Sequence, residues 1–443
     1  MMQYKTIARV LNLVADADQQ ILNLPVDDAR ALLLSDNPED VLRIEGSFAL
    51  LARDGQRVRL ARSLDRPLRY FLAKEKDGPM LVVADRIDQI HDALEREGHG
   101  DQFHPSYTRM IPAHHVTEIQ LVGCPDPNPV YRRFFDPPRE VLPPDLDVIG
   151  EAYVRALCEE IHLWLAALPA KEPLGVLFSG GMDSGALLLA LHHELLAAGQ
   201  SPARLKAFTL AVDGGGADLA QARELLRCAD LQILHEVIEA SGDEIDPFAA
   251  VEAIEDYKPL DVECAAMSLA LLRGIRSRYP GWRHLADGDG GDENLKDYPI
   301  EENPELTIRS VVNNRMLYQE GWGVEAIKHS LTYSGGLSRG CVRGYAPARR
   351  HGFVTFSPFV RPRVIAVAEA IPFAELTQGS HETLYSLKGE VLRRGLLKVT
   401  GRDLPVFPKR RFQHGAVPAE TFQERFDLRP LQYRSHLLSL YQA

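Results

Sequence analysis

The sequence predicts an α/β protein in which an antiparallel, β-rich N-terminal domain precedes a parallel-sheet domain with helical additions. Over residues 46–86, short apolar runs are separated by turn signals, which is typical of antiparallel sheets. From residue 174 onward, apolar runs alternate with helical stretches, which is typical of a parallel sheet covered by helices. A proline-dense segment, residues 124–145, lies between the two patterns and predicts the boundary between the domains.

Composition and charge limit the functions that the chain can have. It has 443 residues, of which 45% are hydrophobic, so it can bury a large core. Its formal net charge of −12 at pH 7 argues against a general nucleic-acid-binding protein, which normally carries a basic surface. No segment approaches the roughly 20 apolar residues of a membrane span. The five cysteines form no CxxC pair, which favours free thiols in a reducing compartment. We therefore expect a cytoplasmic protein that binds neither nucleic acid nor membrane.

The N-terminal domain is expected to span residues 1–140 and to contain mainly antiparallel strands with short helices. Residues 46–63 predict two strands joined at Asp54-Gly55, a strong hairpin signal, and residues 79–86 predict a further strand. Because proline lacks a backbone donor, residues 124–145 are expected to form neither sheet nor helix.

The second domain, expected at residues 146–443, begins with strands that alternate with helices. The predicted strands are residues 174–178, 205–210 and 231–237. The first helix is expected to run from about Ser184 to Ala198, with Gly199 as its stop. The second helix is expected to follow an N-capping Asp218. Its apolar face is expected to consist of Leu219, Ala222, Leu225, Leu226 and Ala229.

The segment FSGGMDS, residues 178–184, joins the first of these strands to its helix. The free N–H groups and the positive dipole end of that helix would face whatever lies over the loop, which favours anions. Two glycines let the backbone approach a phosphate, two serines add hydroxyl donors, and the aspartate supplies an oxygen ligand for Mg²⁺. These residues are Ser179, Gly180, Gly181, Asp183 and Ser184. A glycine turn with a serine N-cap would leave Ser179 and Asp183 unexplained, so we predict a loop that binds pyrophosphate and magnesium.

The same segment resembles the SGGxDS pyrophosphate loop of the N-type ATP pyrophosphatases. A second motif, ADGDGGDE at residues 286–293, resembles the SGxGxDE segment of asparagine synthetases and β-lactam synthetases within that superfamily. Later blocks resemble those of the same family in the same order, at residues 356–372, 384–396 and 404–415. The stretch GSFALLARDGQRVRLARSLDRPLRYF is similar to part of the family's glutaminase-type domain.

This resemblance implies a degenerate Ntn-hydrolase-like N-terminal domain followed by an ATP pyrophosphatase domain of the adenine nucleotide α-hydrolase-like fold. It also implies ATP and Mg²⁺ as cofactors. In the family, a substrate carboxylate attacks the α-phosphorus of ATP, and an amine then displaces AMP to give an amide. The substrate is therefore expected to be a small molecule that supplies a carboxylate, an amine or both.

The resemblance also implies which residues bind the nucleotide and the metal. Asp183 and Asp292 match the two magnesium-binding aspartates of the family. Gly288 lies in the second motif and is assigned to nucleotide binding. Leu210 falls where the family holds adenine through backbone groups, although a buried strand end would look the same. The pyrophosphate cradle of the family is matched by Ser179, Gly180, Gly181 and Ser184.

Three further residues are catalytic candidates. Lys409 matches the family lysine that stabilises charge on the phosphate and on the tetrahedral intermediate, with a solvated basic face as the alternative. Lys388 matches the lysine of the family's K.ilR block. Asp289 takes the place of a glutamate in asparagine synthetases and a tyrosine in β-lactam synthetases. A base, a substrate clamp and a loop-capping aspartate are all open for Asp289.

The N-terminal domain departs from the glutamine-dependent members of the family. Those enzymes use an N-terminal cysteine whose own α-amine acts as its base, whereas positions 1 and 2 here are methionines. GSFAL already begins at residue 46, which leaves little chain for glutamine-binding segments. We therefore expect no glutamine hydrolysis in this chain and an amine from another source.

This departure favours an enzyme similar to β-lactam synthetases, in which carboxylate and amine belong to one molecule. An ammonia-dependent asparagine synthetase and a lasso-type peptide macrolactam cyclase are the alternatives within the enzyme class. A nucleotide-binding pseudoenzyme is the alternative outside it. The substrate stays unassigned, since specificity is expected to depend on the helix after residue 258 and on residues 300–350, which follow no clear pattern. A homodimer is left open.

Overall fold

The computed structural model describes residues 9–74, 80–121, 128–297, 300, 307–313, 344–407 and 411–442. The strands in these ranges are β1 (Arg9–Asn12), β2 (Gln20–Ile21), β3 (Gly46–Ser47), β4 (Ala49–Asp54), β5 (Arg57–Arg62), β6 (Arg69–Ala73), β7 (Met80–Ala84), β8 (Arg109–Met110), β9 (His115–Gln120), β10 (Val130–Arg133), β11 (Leu174–Leu177), β12 (Leu205–Val212), β13 (His235–Ala240), β14 (His284–Ala286) and β15 (Val354–Phe356).

The helices in the same ranges are α1 (Val26–Leu33), α2 (Ile87–Arg96), α3 (Leu146–Ala167), α4 (Met182–Ala197), α5 (Ala217–Cys228), α6 (Pro247–Ile254), α7 (Pro259–Arg278), α8 (Gly291–Asn294), α9 (Ile308–Val312), α10 (Ala346–Arg350), α11 (Pro362–Glu369), α12 (Phe373–Thr377), α13 (His381–Thr400), α14 (Phe412–Gly415), α15 (Ala419–Phe426) and α16 (Pro430–Ser439). None of these described helices combines the length and the apolar character that crossing a membrane requires.

The N-terminal part of the chain is built on two four-stranded sheets, of order β1-β7-β6-β8 and β10-β9-β5-β4, with a small β2-β3 pair beside them. Every pair of strands is antiparallel except β1 with β7. The inner faces of the two sheets pack together through apolar side chains such as Leu60, Tyr70 and Leu81. Helix α2 covers the outer face of the first sheet and α1 that of the second. The prediction of an antiparallel, β-rich domain is confirmed.

Two details of this part differ from the sequence-based expectation. Asp54 is paired with Arg57 across the hairpin, so the turn consists of Gly55 and Gln56 and lies one residue later than predicted. Gly55 has φ of +56°, which favours glycine at that position. Within the proline-dense segment, β10 pairs with β9 as an edge strand, so the expectation of no regular sheet there was wrong. Prolines around an edge strand are tolerated because one side of it needs no partner.

The second part of the chain is built on a five-stranded, all-parallel sheet of order β13-β12-β11-β14-β15. Neighbouring residues of β12 face opposite sides, because side chains alternate along a strand. Ala207 packs with α3, α4 and α13, whereas Phe208 packs with α6 and α7. Helices therefore cover both faces, and the predicted parallel sheet is confirmed.

The boundaries of two of the strands in this sheet differ from the prediction. β12 continues to Val212, two residues beyond the predicted end. β13 begins at His235, four residues later than predicted, because Gln232–Leu234 form a turn of 3₁₀ helix.

Helices α4 and α5 also begin at different residues than predicted. α4 begins at Met182 with Gly181 as N-cap, so Ser184 lies inside its first turn. Asp218 lies in the first turn of α5, whose N-cap is Gly216, so the predicted capping role of Asp218 was wrong. The predicted apolar face of α5 is buried at Ala222, Leu225 and Leu226. The N-cap could not be predicted from the sequence, because Gly216 has no side chain that marks it as a capping residue.

Charged side chains connect the two domains. Arg361, just before α11, forms an ion pair with Asp65 at 3.1 Å, and both side chains are buried. Arg86, just before α2, donates to the carbonyl oxygen of Ala253 at 2.8 Å. Loss of one partner of a buried ion pair leaves an uncompensated charge, so such pairs hold the domains in one arrangement.

Asp256, in the turn between α6 and α7, makes stability depend on pH. Burial, together with the nearby Asp261 carboxylate, raises the pKa of Asp256 from 3.8 to about 7. Because the folded-state pKa is the higher one, this group favours folding below about pH 4 and loses that contribution as the pH rises to about 7. We expect Asp256→Asn to melt at a higher temperature than the native protein above pH 7. The difference should shrink towards pH 4.

Thermal unfolding between pH 4 and pH 8 measures this effect. The asparagine can still accept hydrogen bonds from the Tyr257 and Lys258 amides, as Asp256 Oδ1 does at 2.7 and 3.1 Å. Asp230→Asn, at an exposed position, is the control. A difference that is the same at every pH would contradict the raised pKa of Asp256.

Candidate active site

The two sequence motifs meet at one edge of the parallel sheet. The SGGMDS loop, residues 179–184, follows β11, and the ADGDGGDE loop, residues 286–293, begins at the end of β14. β11 and β14 are neighbours, although all of β12 and β13 lies between them in the sequence. The strand order reverses there, and the crevice at such a point is where open α/β sheets bind ligands.

The SGGMDS loop is held in place by its own polar groups and by α5. The Gly181 amide donates to Ser179 Oγ at 3.2 Å, and Ser184 Oγ donates to the Gly181 carbonyl oxygen at 3.2 Å. Gln221 Nε2 of α5 donates to the Gly180 carbonyl oxygen at 3.0 Å. The two serine oxygens lie 3.3 Å apart. The loop is therefore ordered at the N-terminus of α4, where free N–H groups favour an anion.

Gly180 is required by the loop for two separate reasons. Its φ is +75°, and a Cβ at this position would lie 2.5 Å from the Ala222 amide nitrogen. Gly199 has φ of +65° but nothing within 4 Å of its Cβ position. Gly199→Ala should therefore lower the free energy of unfolding by only about 1–2 kcal/mol, the cost of holding alanine in the left-handed conformation. Gly180→Ala should lower the free energy of unfolding by about 2–5 kcal/mol, because the clash of the new methyl group with α5 adds to the conformational cost. Urea unfolding of both variants measures the difference, and equal losses would contradict the close approach of α5.

The ADGDGGDE loop packs directly on the first loop through glycines. A Cβ at Gly288 would lie 3.0 Å from both Asp183 Cβ and the Ser184 amide nitrogen. A Cβ at Gly291 would lie 2.2 Å from Asp183 Oδ1. Larger residues at these two positions would push the loops apart, so the glycines set the distance between them.

Asp183 and Asp292 share one cation, the ammonium group of Lys388. Lys388 Nζ donates to Asp183 Oδ2 at 2.6 Å and also to Asp292 Oδ1. It lies 3.5 Å from Asp297 Oδ2. Lys388 comes from the middle of α13 and its side chain is only 2% exposed. The structure thus brings together three of the predicted site residues from three distant parts of the sequence.

Electrostatics keep Lys388 charged at this position. Burial lowers the pKa of the Lys388 ammonium group, but the carboxylates of Asp183, Asp292 and Asp297 outweigh burial and hold that pKa well above its usual range. Lys388 is therefore a fixed positive charge between the two loops. A polyanion placed over the SGGMDS loop would meet this charge together with the N-terminus of α4.

The donor set of Asp183 and Asp292 fits magnesium. Mg²⁺ prefers oxygen ligands and usually takes only one or two carboxylates, with its other ligands coming from phosphates and water. Within the described ranges, no group of three or more His, Cys, Asp or Glu side chains is arranged around a metal position. Two carboxylates with no further protein ligands therefore suit a metal ion whose other ligands come from a bound phosphate and water.

Asp289, the candidate base or clamp, lies beside a second carboxyl group, that of Asp287. Ser357 Oγ donates to Asp287 Oδ1 at 2.7 Å, and the Asp289 amide donates to the same oxygen at 3.2 Å. A Cβ at Gly344 would lie 2.9 Å from Asp289 Oδ2 and 3.1 Å from Asp287 Oδ2. Burial and the Asp289 charge raise the pKa of Asp287 well above its usual range. The two carboxyl groups, Asp287 and Asp289, therefore share one proton more readily than they both ionise.

One predicted residue, Leu210, stands apart from this cluster. Leu210 is buried inside β12 and is paired with Ile238 of β13, two residues before the strand ends. Lys409 lies outside the described residues.

Sequence reasoning missed several residues that the structure places at the site. Asp297 is the third acidic neighbour of Lys388, and its amide donates to the Asp292 carbonyl oxygen at 3.0 Å. Asp287 and Gly291 are inside the second motif but had no assigned role. Gln221, which holds the Gly180 carbonyl oxygen, belongs to α5 and carries no motif signal. The only available signal was the density of acidic residues from Asp287 to Asp297.

The fold is an α/β domain with an all-parallel sheet, and a glycine- and serine-containing loop lies opposite acidic side chains at its switch point, the position where open α/β sheets bind ligands. A family model described as asparagine synthase matches residues 166–333, which include both loops. The match supports the asparagine synthetase family and an ATP-dependent ligase that forms amide bonds. Enzymes of that family use ATP. The chain matches none of the curated proteins with which it was compared.

Proposed function

We propose that the protein is an AMP- and pyrophosphate-forming amide synthetase. It activates a substrate carboxylate as an acyl-adenylate and forms an amide with an amine that does not come from glutamine. An intramolecular lactam of a small molecule is the product we favour. The proposal is carried by one observation, the convergence of Asp183 and Asp292 on Lys388 at the switch point of the parallel sheet.

The SGGMDS loop would bind the β- and γ-phosphates of ATP. Its glycines leave room for phosphate oxygens, and the first N–H groups of α4 would donate to them. Asp183 and Asp292 would hold Mg²⁺, which when bound supplies positive charge beside the departing pyrophosphate. Lys388 would hold these two carboxylates in place and add a second positive charge next to the same phosphates.

The ADGDGGDE loop would act on the other side of the α-phosphate, where the carboxylate and the amine react. Asp289 would hold the amine or accept its proton. Burial and the Asp289 charge raise the pKa of the neighbouring Asp287, so Asp287 would keep a proton while Asp289 carries the charge. Lys409 would stabilise negative charge on the tetrahedral intermediate. In this proposal no free ammonia is needed. The carboxylate and the amine belong to one substrate molecule, and the site holds them close together.

The lack of a glutaminase thiol supports an amine from another source. No cysteine occurs in residues 1–123, which include all strands of the N-terminal sheets up to β9. Glutamine hydrolysis in the family depends on a cysteine nucleophile. The N-terminal domain would therefore have a structural role at the synthetase site.

Ammonia-dependent asparagine synthesis is the second candidate, because the family description names asparagine. A peptide macrolactam is a third possible product of the same chemistry. The three differ in which molecule supplies the amine, so they can be separated by substrate.

Pyrophosphate and AMP release with ATP and Mg²⁺ tests the proposal. The panel contains diamino acids and other molecules with both a carboxylate and an amine, peptides, and aspartate with ammonium or with glutamine. We expect release with a molecule that carries both groups, and none with aspartate and glutamine. Aspartate with ammonium giving asparagine would favour the second candidate. ADP and phosphate as products would contradict the reaction type. No pyrophosphate release with any substrate would favour a pseudoenzyme.

A further inference from the structure

A chain of hydrogen bonds runs from β13 through β12 to the residue at which the SGGMDS loop begins. Thr209 of β12 donates its hydroxyl hydrogen to the Phe178 carbonyl oxygen at 2.8 Å. Nε2 of His235, the first residue of β13, lies 3.0 Å from Thr209 Oγ1. Thr209 is 1% exposed and Phe178 is 2% exposed, so water has little access to the bond between them.

The register of the parallel sheet explains why these groups meet. β11 pairs with β12 over residues 174–177, so Phe178 lies one residue beyond this pairing. His235 is the partner of Ala207 on β12, and Thr209 lies two residues after Ala207. Because side chains alternate along a strand, His235 and Thr209 are on the same face of the sheet. The hydroxyl of Thr209 thus lies between the His235 ring and the Phe178 carbonyl group.

The number of hydrogens available gives the direction of this chain of bonds. A threonine hydroxyl has a single hydrogen, and that of Thr209 is donated to Phe178. Thr209 Oγ1 can therefore only accept from His235, so Nε2 of His235 carries a hydrogen. Burial and, to a smaller extent, the Arg223 charge lower the pKa of His235 below its ordinary value. The ring is thus mainly neutral at pH 7, with its one hydrogen on the nitrogen that faces Thr209.

The Phe178 carbonyl group matters because it belongs to the same rigid unit as the first amide of the loop. The C=O of Phe178 and the N–H of Ser179 are parts of one planar peptide group. A hydrogen bond that fixes the direction of this C=O therefore also fixes the direction of the N–H. Ser179 in turn shapes the loop, since its Oγ accepts from the Gly181 amide at 3.2 Å.

A second contact holds the loop on the other side of Ser179. Gln221 Nε2 of α5 donates to the Gly180 carbonyl oxygen at 3.0 Å. Ser179 thus lies between two peptide groups that are held from outside the loop, one by β12 and the other by α5. The direction of the loop's backbone donors depends on both contacts.

We propose that Thr209 is a positioning residue for the pyrophosphate loop, which directs the Ser179 N–H through the Phe178 carbonyl group, and that His235 orients the Thr209 hydroxyl. Thr209 is too deeply buried to touch the ligand itself. Its effect is on the arrangement of donors that the loop presents before the anion arrives. The identity of that anion as the outer phosphates of ATP rests on the proposed function.

Calorimetric titration with pyrophosphate and Mg²⁺ tests this inference, with AMP, which lacks the two outer phosphates, as the comparison ligand. Thr209→Val keeps the shape of the side chain but removes the hydroxyl. We expect its affinity for pyrophosphate to fall by about three- to tenfold, the effect of one lost hydrogen bond, and its affinity for AMP to stay native. Thr209→Ser keeps the hydroxyl and should restore most of the affinity. Thr117→Val, the same change at a buried position of β9, should bind pyrophosphate like the native protein.

Unchanged pyrophosphate binding by Thr209→Val would overturn the inference. An equal loss of affinity for AMP would also overturn it, because such a loss would show a general disturbance of the sheet. If Thr209→Val does not fold, two variants of His235 decide. His235→Gln has an amide N–H that can replace Nε2–H and should bind like the native protein, whereas His235→Leu should lose about two- to fivefold. Equal affinities of these two variants would overturn the inference.

The same titration separates this inference from the proposed function. A native protein that binds no pyrophosphate would contradict both, since the loop would then not bind phosphates. Native affinity in Thr209→Val would overturn the positioning role alone and leave the proposed reaction intact. Weakened pyrophosphate binding in Thr209→Val would support the positioning role even if no substrate gave an amide.

Discussion

Asp183→Asn is expected to reduce ATP-dependent pyrophosphate release by about a thousandfold, which corresponds to roughly 4 kcal/mol of transition-state stabilisation. Asparagine has nearly the same shape as aspartate, but it lacks the charge that would hold Mg²⁺ beside the departing pyrophosphate. It also lacks the negative charge that Lys388 contacts at 2.6 Å. Initial rates with saturating substrate measure the effect.

The control for this variant is Asp230→Asn, an exposed aspartate with φ of +55°, a conformation that asparagine tolerates. It should release pyrophosphate at the native rate. Raising the Mg²⁺ concentration should recover little activity in Asp183→Asn, since one of two ligands is missing. A variant within tenfold of the native rate would mean that Asp183 does not act on the phosphates.

Lys388→Met is expected to destabilise the protein by about 3 kcal/mol in the presence of a metal chelator. Removal of one member of a buried ion pair typically costs about 3–5 kcal/mol. We expect the lower end because the Asp292 side chain is 38% exposed and water can screen it. The carboxylates of Asp183, Asp292 and Asp297 would otherwise be crowded together without a cation. Urea unfolding gives the free energy.

Magnesium should restore part of this loss, because a divalent cation held by Asp183 and Asp292 would then neutralise the crowded carboxylates. Lys398→Met is a matched control on the same helix, α13. Lys398 is 48% exposed and pairs with Glu151 at the surface, where water screens the charges, so its loss should change the free energy of unfolding little, with or without magnesium. A Lys388→Met protein as stable as the native one in chelator would contradict the charge balance described for the site.

The placement of the two loops at the same edge of the sheet follows from sequence patterns. Strands that alternate with helices predict a parallel sheet, and the carboxyl ends of parallel strands lie at one edge. A glycine–serine loop after β11 and an acidic, glycine-rich loop after β14 therefore belong at the same edge. The sequence does not order the strands, however, so the adjacency of β11 and β14 was a structural result.

The position of Lys388 could not be deduced in the same way. Lys388 is one of two lysines on a long helix, and helical periodicity places it on the buried face without stating what it meets. Its contact with Asp183 depends on how α13 packs against α3 and α4, which is set by many apolar side chains at once. Asp297 was missed for the same reason. Its approach to Lys388 needs the turn that follows α8.

A crystal structure with the α,β-methylene analogue of ATP and Mg²⁺ tests the central claim most directly, because the analogue cannot be cleaved between its α- and β-phosphates. We predict that its β- and γ-phosphates lie over the SGGMDS loop and that one metal ion contacts both Asp183 and Asp292. A nucleotide bound elsewhere, or a metal ion that contacts neither aspartate, would contradict the proposed reaction.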